Sequence, residues 1–92
     1  MKTTNERFDI LCIALEDIRD EVARAVNLHG PIHSLHEAHS VIEEEFDEFW
    51  EQVKINPRKL YEDDQKVRLR KIREELIQVA AMCVRTIIDL NI

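Results

Sequence analysis

One glycine and two prolines in 92 residues leave almost nothing to break a regular backbone, and all three fall at two places, Gly30-Pro31 and Pro57. An all-α chain interrupted at those two points is the expectation. Positive charge is short as well: the formal net charge is −6, which argues against direct nucleic-acid binding, since a phosphate backbone needs a concentrated basic face. The Arg and Lys between Arg58 and Arg73 are interrupted or flanked by Glu62, Asp63, Asp64, Glu74 and Glu75, and read as a solvated helix face. No apolar run approaches the roughly 20 residues of a membrane-spanning helix, and MKTTNERFDI lacks the apolar core of a signal peptide. No membrane contact and a cytoplasmic location are therefore expected. The two cysteines, Cys12 and Cys83, have no zinc-knuckle spacing and sit among apolar neighbours; small core residues, not a disulfide, are expected. With no internal repeat, linker or low-complexity tract, residues 1–92 are read as one domain.

Three helical segments account for nearly the whole chain. The first runs from about Asn5 to Leu28, with Phe8, Leu11, Leu15, Ile18, Val22 and Val26 at helical spacing and Thr4 or Asn5 as its cap. The second opens at Ser34-Leu35-His36-Glu37, a capping-box pattern, and continues to about Ile55 before Asn56-Pro57 breaks it. The third extends from about Gln65 to Leu90 with Asp63 or Asp64 as cap. After Leu76 it is apolar nearly all round, with Ile77, Ala80, Ala81, Val84 and Ile88 opposite the stripe of Ile72, Val79, Met82 and Thr86. Such a helix needs neighbours on both sides, so a long-helix bundle completed by oligomerisation is expected.

What the sequence has in the wrong place is carboxylate. At about 100° per residue, Ala38, Val41, Ile42, Phe49 and Gln52 gather on one face of the second helix, with Glu45 at its centre and Glu48 at its edge. Glu75 falls on the stripe of the third helix, with Gln78 one turn on. A buried carboxylate protonates or finds a partner, and several together call for a cation. Oxygen ligands without a matching His or Cys suit a hard ion, Mg²⁺ or Mn²⁺. Glu45 and Glu48, three residues apart, can reach one ion, and Glu44 on the flank can turn toward a second.

HGPIHSLHEAHSVIEEEFDEFWEQV followed by REELIQVAAMCVR resembles the MazG-like branch of the all-α nucleoside triphosphate pyrophosphohydrolases over about His29 to Arg85. The family's two adjacent Glu, with a third after two residues, are matched by Glu44, Glu45 and Glu48. Its Glu-x-x-Asp signature is met by Glu75, with Gln78 at the Asp position. The resemblance implies a helical bundle of the four-helix type, assembled as a homodimer or homotetramer. It also implies cleavage of a nucleoside triphosphate to the monophosphate and pyrophosphate with Mg²⁺. Gln78 departs from that pattern, since an amide oxygen can coordinate a metal but carries no charge.

On this reading Glu45, Glu48, Glu75 and Gln78 hold the metal, Glu44 is the candidate general base, and Arg85, Lys54 and His33 are candidates for the substrate. The other histidines, His29, His36 and His39, read as solvated loop and helix-start residues, with His36, like His33, placed to touch a nucleotide at the helix mouth as the alternative. Phe46 and Trp50 read as core or interface. The competing expectation is a non-catalytic assembly module in which Glu45 and Glu75 pair with Lys or Arg of a neighbouring subunit.

Overall fold

A computed structural model describes residues 1–92 as three α-helices, α1 (Thr4–Leu28), α2 (Leu35–Val53) and α3 (Glu62–Leu90), with a 3-10 turn at Pro57–Lys59. There is no strand, and the chain is all-α as its composition predicts. None of the helices is long and apolar enough to cross a membrane.

The C-terminal ends of α1 and α3 and the start of α2 fall where expected, and the other three helix ends differ by a few residues. Thr3, not Thr4 or Asn5, caps α1: its backbone is extended and its hydroxyl accepts from the Glu6 N–H at 3.1 Å. Ser34 caps α2 as its pattern predicts, accepting from the Glu37 N–H at 3.0 Å. The Glu37 carboxylate reaches one residue beyond the expected box, to the His33 N–H at 2.9 Å. α2 stops at Val53 rather than near Ile55, and the Arg68 guanidinium donates to the carbonyls of Gln52 and Val53 at 3.0 and 3.1 Å, helping to satisfy acceptors that the helix end leaves without intrahelical partners. α3 begins at Glu62, three residues before Gln65, with Tyr61 at the cap position and no side-chain bond. Asp63 and Asp64 do not cap it; with Glu62 they occupy the first turn, where negative charge meets the positive end of the helix.

α3 lies between α1 and α2 and contacts both. Val22 and Ala25 of α1 meet Ala81 and Met82 of α3, with Ile18, Val41, Ile42 and Val84 packed around them. This core is small. Eight residues are buried, and no large side chain is fully enclosed. The accessible surface is 7181 Å², against roughly 5,600 Å² for a compact chain of this mass, an excess of about 1,600 Å². The radius of gyration, 15.3 Å, likewise exceeds the roughly 12 Å of a compact domain of this length.

The excess has an address. Four of the six residues of the α1 stripe, Phe8, Leu11, Leu15 and Val26, are exposed, and so are Phe46 and Trp50 of α2 and Ile87 and Ile88 of α3. Cys12 and Cys83 are exposed too, contrary to the expectation of core positions. Cys12 lies on the stretch of α1 preceding the buried residues, and Cys83 falls between the buried Met82 and the half-buried Val84 on an uncovered face.

Candidate metal centre

The helical period that builds the core also sets the acids between helices. Glu45 comes one turn after Val41 and Ile42 on α2, and Glu75 two turns before Met82 on α3, so packing those apolar residues brings the two carboxylates together. Glu48, one turn beyond Glu45, completes the group. One oxygen from each of Glu45, Glu48 and Glu75 lies within 4.8 Å of the others. Oxygens on opposite sides of a Mg²⁺ ion stand about 4.2 Å apart, so a small inward movement of side chains suits that ion.

Electrostatics marks the cluster as short of positive charge. Burial, then the neighbouring Glu48 and Glu75, raise the Glu45 pKa from 4.5 to about 7. Burial and then Glu48 raise that of Glu75. One Glu75 oxygen, Oε2, is buried with no hydrogen-bond partner. No Lys or Arg comes within ion-pair distance of any of the three carboxylates. A hard cation meets each of these deficits at once, and the donor set fits it.

Gln78 lies one turn past Glu75 and lines a cavity of about 350 Å³ together with Glu44 and Glu45. Its volume is at the lower end of small-molecule sites. Two α1 residues that the sequence reading missed, Glu21 and Arg24, complete that wall. The Arg24 guanidinium binds the Glu21 carboxylate through both Nε and Nη2. That bond, and then the adjacent Gln78 amide, hold the Glu21 carboxyl below its ordinary value against the opposing effect of burial. Glu21 precedes Val22 and lies one turn before Ala25. An acid and a base three apart beside buried α1 residues was the available signal, but an i, i+3 pair is ordinary on a solvated face.

Arg85 closes the far side of the cavity. It is 4% exposed, donates from Nη2 to the Gly30 carbonyl at 2.9 Å and stands 3.9 Å from Asp89. Asp89 in turn accepts from the Ile32 N–H at 2.9 Å. These contacts tie the connection between α1 and α2 to the end of α3. The Nε of Arg85 is buried without a partner. Lys54 and His33 do not line the cavity. Lys54 caps the C-terminus of α2 and pairs with Glu51 at 2.8 Å, whereas His33 precedes the N-terminal cap. About 28 Å of helix separates them, too far for both to hold one triphosphate within a single chain.

Comparison of the chain with family models, with curated proteins and with solved structures returns no match.

Proposed function

We propose that the chain is a Mg²⁺-dependent nucleoside triphosphate pyrophosphohydrolase of MazG-like type, producing the monophosphate and pyrophosphate. The observation that carries this reading is the convergence of Glu45, Glu48 and Glu75 between two helices, with a Glu75 oxygen buried and unpartnered. It is supported by the match of Glu44, Glu45 and Glu48 to the family's first signature and by a cavity beside the cluster that Glu44, Glu45 and Gln78 share. Glu45, Glu48 and Glu75 would hold the cation, with the Gln78 amide oxygen as a neutral fourth donor. When bound, Mg²⁺ or Mn²⁺ supplies charge neutralisation on phosphate oxygens and a more acidic water.

The protein's own groups do the rest. Glu44 is exposed on the cavity wall, outside any ion pair, and accepts the proton of the attacking water. Arg85 lines the cavity with a buried guanidinium and would meet an anionic oxygen of the substrate there. Two or four copies would cover the apolar faces of α1 and α3, and an excess of about 1,600 Å² per chain, about 3,200 Å² for a pair, falls in the range that permanent homodimer contacts bury.

The test is to incubate purified protein and Mg²⁺ with a panel of nucleoside triphosphates, reading pyrophosphate and phosphate separately. Pyrophosphate release from at least one substrate, reduced roughly 100-fold in Glu45→Gln, is the expected result. Hydrolysis unchanged by that substitution, or absent on every triphosphate, would move the assignment to a non-catalytic assembly module.

A further inference from the structure

α1 and α2 make their main contacts with α3 rather than with each other, so the three helices stand in a row with α3 in the middle. The cavity opens on one side of that row. Its α3 residues are Gln78, Met82 and Arg85, and at about 100° per residue the side opposite them carries Leu69, Leu76, Cys83 and Ile87, all exposed. The flanking helices repeat the division. Phe8, Leu15 and Val26 of α1 fall opposite its cavity residues Glu21 and Arg24, and Phe46 and Trp50 of α2 fall opposite Val41 and Glu44. Cys83 aside, these apolar residues are 48% to 62% exposed.

One row of helices is one layer, and a layer with an apolar face needs a second against it to make a core. Two features of this face narrow what that second layer is. Leu76, Ala80, Cys83 and Ile87 recur at four, three and four residues along α3, the spacing by which two helices pack along a common seam, and Leu69 extends it by one heptad. Such a seam is complementary to itself when a two-fold axis brings the same residues together. The area agrees: an excess of about 1,600 Å² on each of two chains is about 3,200 Å² for the pair, a size typical of permanent homodimers. We propose that a second copy of the chain covers this face, the two rows packing back to back with α3 against α3. This fixes which face the copies share. The cavity and the three carboxylates of each copy then stay on the outer sides of the pair, and each site is built within one chain. The contact stands whether or not the carboxylates bind a cation.

Cys83 lies in the proposed seam and reports on it directly. In a Cys12→Ser background, where it is the only thiol, its labelling by a maleimide, read by mass spectrometry, should slow at least about tenfold as protein is raised from nanomolar to micromolar concentration, because only the separate chain exposes it. Leu76→Glu sets like charges against each other across the seam, and should halve the mass seen by light scattering and restore fast labelling at every concentration. Leu76 is exposed in the single chain, so circular dichroism should show the helices intact. Ile10→Glu is the control. Ile10 is 46% exposed but lies on the cavity side of α1, in line with Asp17, Glu21 and Arg24, and its substitution should change neither mass nor labelling. A monomer at micromolar concentration, an oligomer in which Cys83 labels as fast as in the dilute chain, a mass that survives Leu76→Glu, or an equal loss in both variants would overturn the proposal. Protection of Cys83 decides the matter even where Leu76→Glu unfolds. A chelator should alter none of these results, which keeps their failure distinct from failure of the metal site.

Discussion

Raising the pH should destabilise the metal-free protein and stabilise the metal-loaded one. The sign follows from Glu45, whose pKa rises from 4.5 to about 7 through burial and the charges of Glu48 and Glu75. Between those values the folded chain binds this proton more tightly than the unfolded chain does. The group's contribution is therefore fully present below about pH 4.5, lost as pH climbs to about 7, and constant above. A shift of that size corresponds to roughly 3 kcal/mol, and solvent around the half-exposed cluster reduces it to about 1–2 kcal/mol. Glu21 works in the opposite sense, because its pKa is lowered. Its contribution is lost only as pH falls below the ordinary carboxylate range, outside the window of Glu45. Urea unfolding followed by circular dichroism, at fixed protein concentration with chelator present, should show stability falling from about pH 5 to about pH 7.5. Glu45→Gln should flatten that slope. With Mg²⁺ at about a hundred times its dissociation constant, the gain is about 2.7 kcal/mol and is largest at the alkaline end, where no proton competes for the carboxylates. Glu75, whose pKa is raised by burial and Glu48, keeps its own smaller part of the slope in the Glu45→Gln variant; metal-free stability that rises or stays level across the window, or a slope undiminished in Glu45→Gln, would show that Glu45 does not hold its proton in this way.

Other perturbations test the frame around the site. Arg85→Ala removes the donor to the Gly30 carbonyl and the cation beside Asp89, and urea unfolding should register a loss of about 2–4 kcal/mol; an unchanged midpoint would mean that this tie between α3 and the α1–α2 connection carries little. Ser34→Ala leaves the Glu37 N–H without its acceptor and should cost about 1 kcal/mol, with no effect expected if water replaces the cap fully. Leu11→Glu places a charge in the exposed apolar stretch of α1, where Leu11 is 49% exposed. Light scattering at micromolar protein should report a dimer or tetramer for the unmodified chain and a smaller species for this variant, whereas a monomer in both would show that α1 is not a subunit contact.

Much of the site was legible because helical periodicity is local. The stripe of Ala38, Val41, Ile42 and Phe49 places Glu45 inward whatever α2 packs against, and Met82 and Thr86 do the same for Glu75. Two helices with acids on their packed faces then need only to be neighbours. What could not be read depends on residues far apart in sequence. The Arg85 contacts run to Gly30 and Asp89, and Asp89 closes on a backbone N–H 57 residues away. Glu21 gains its meaning only when α1 packs its Val22 face against α3. The exposure of Cys12 and Cys83 depends on how far the helices overhang one another, which hydropathy does not encode. At the start of α3, three consecutive acids offer equivalent capping chemistry, and the helix begins ahead of all but the first.

Everything proposed for the site depends on Glu45, Glu48 and Glu75 holding one divalent cation between α2 and α3. Titrating Mn²⁺ into the protein near neutral pH, with bound and free ion resolved by electron paramagnetic resonance, measures this directly. Saturable binding is expected, displaced by Mg²⁺ and weakened at least tenfold, roughly 1.4 kcal/mol, by Glu45→Gln and by Glu75→Gln alike. Binding unaffected by either substitution, or no saturable binding at all, would mean that these carboxylates hold no ion.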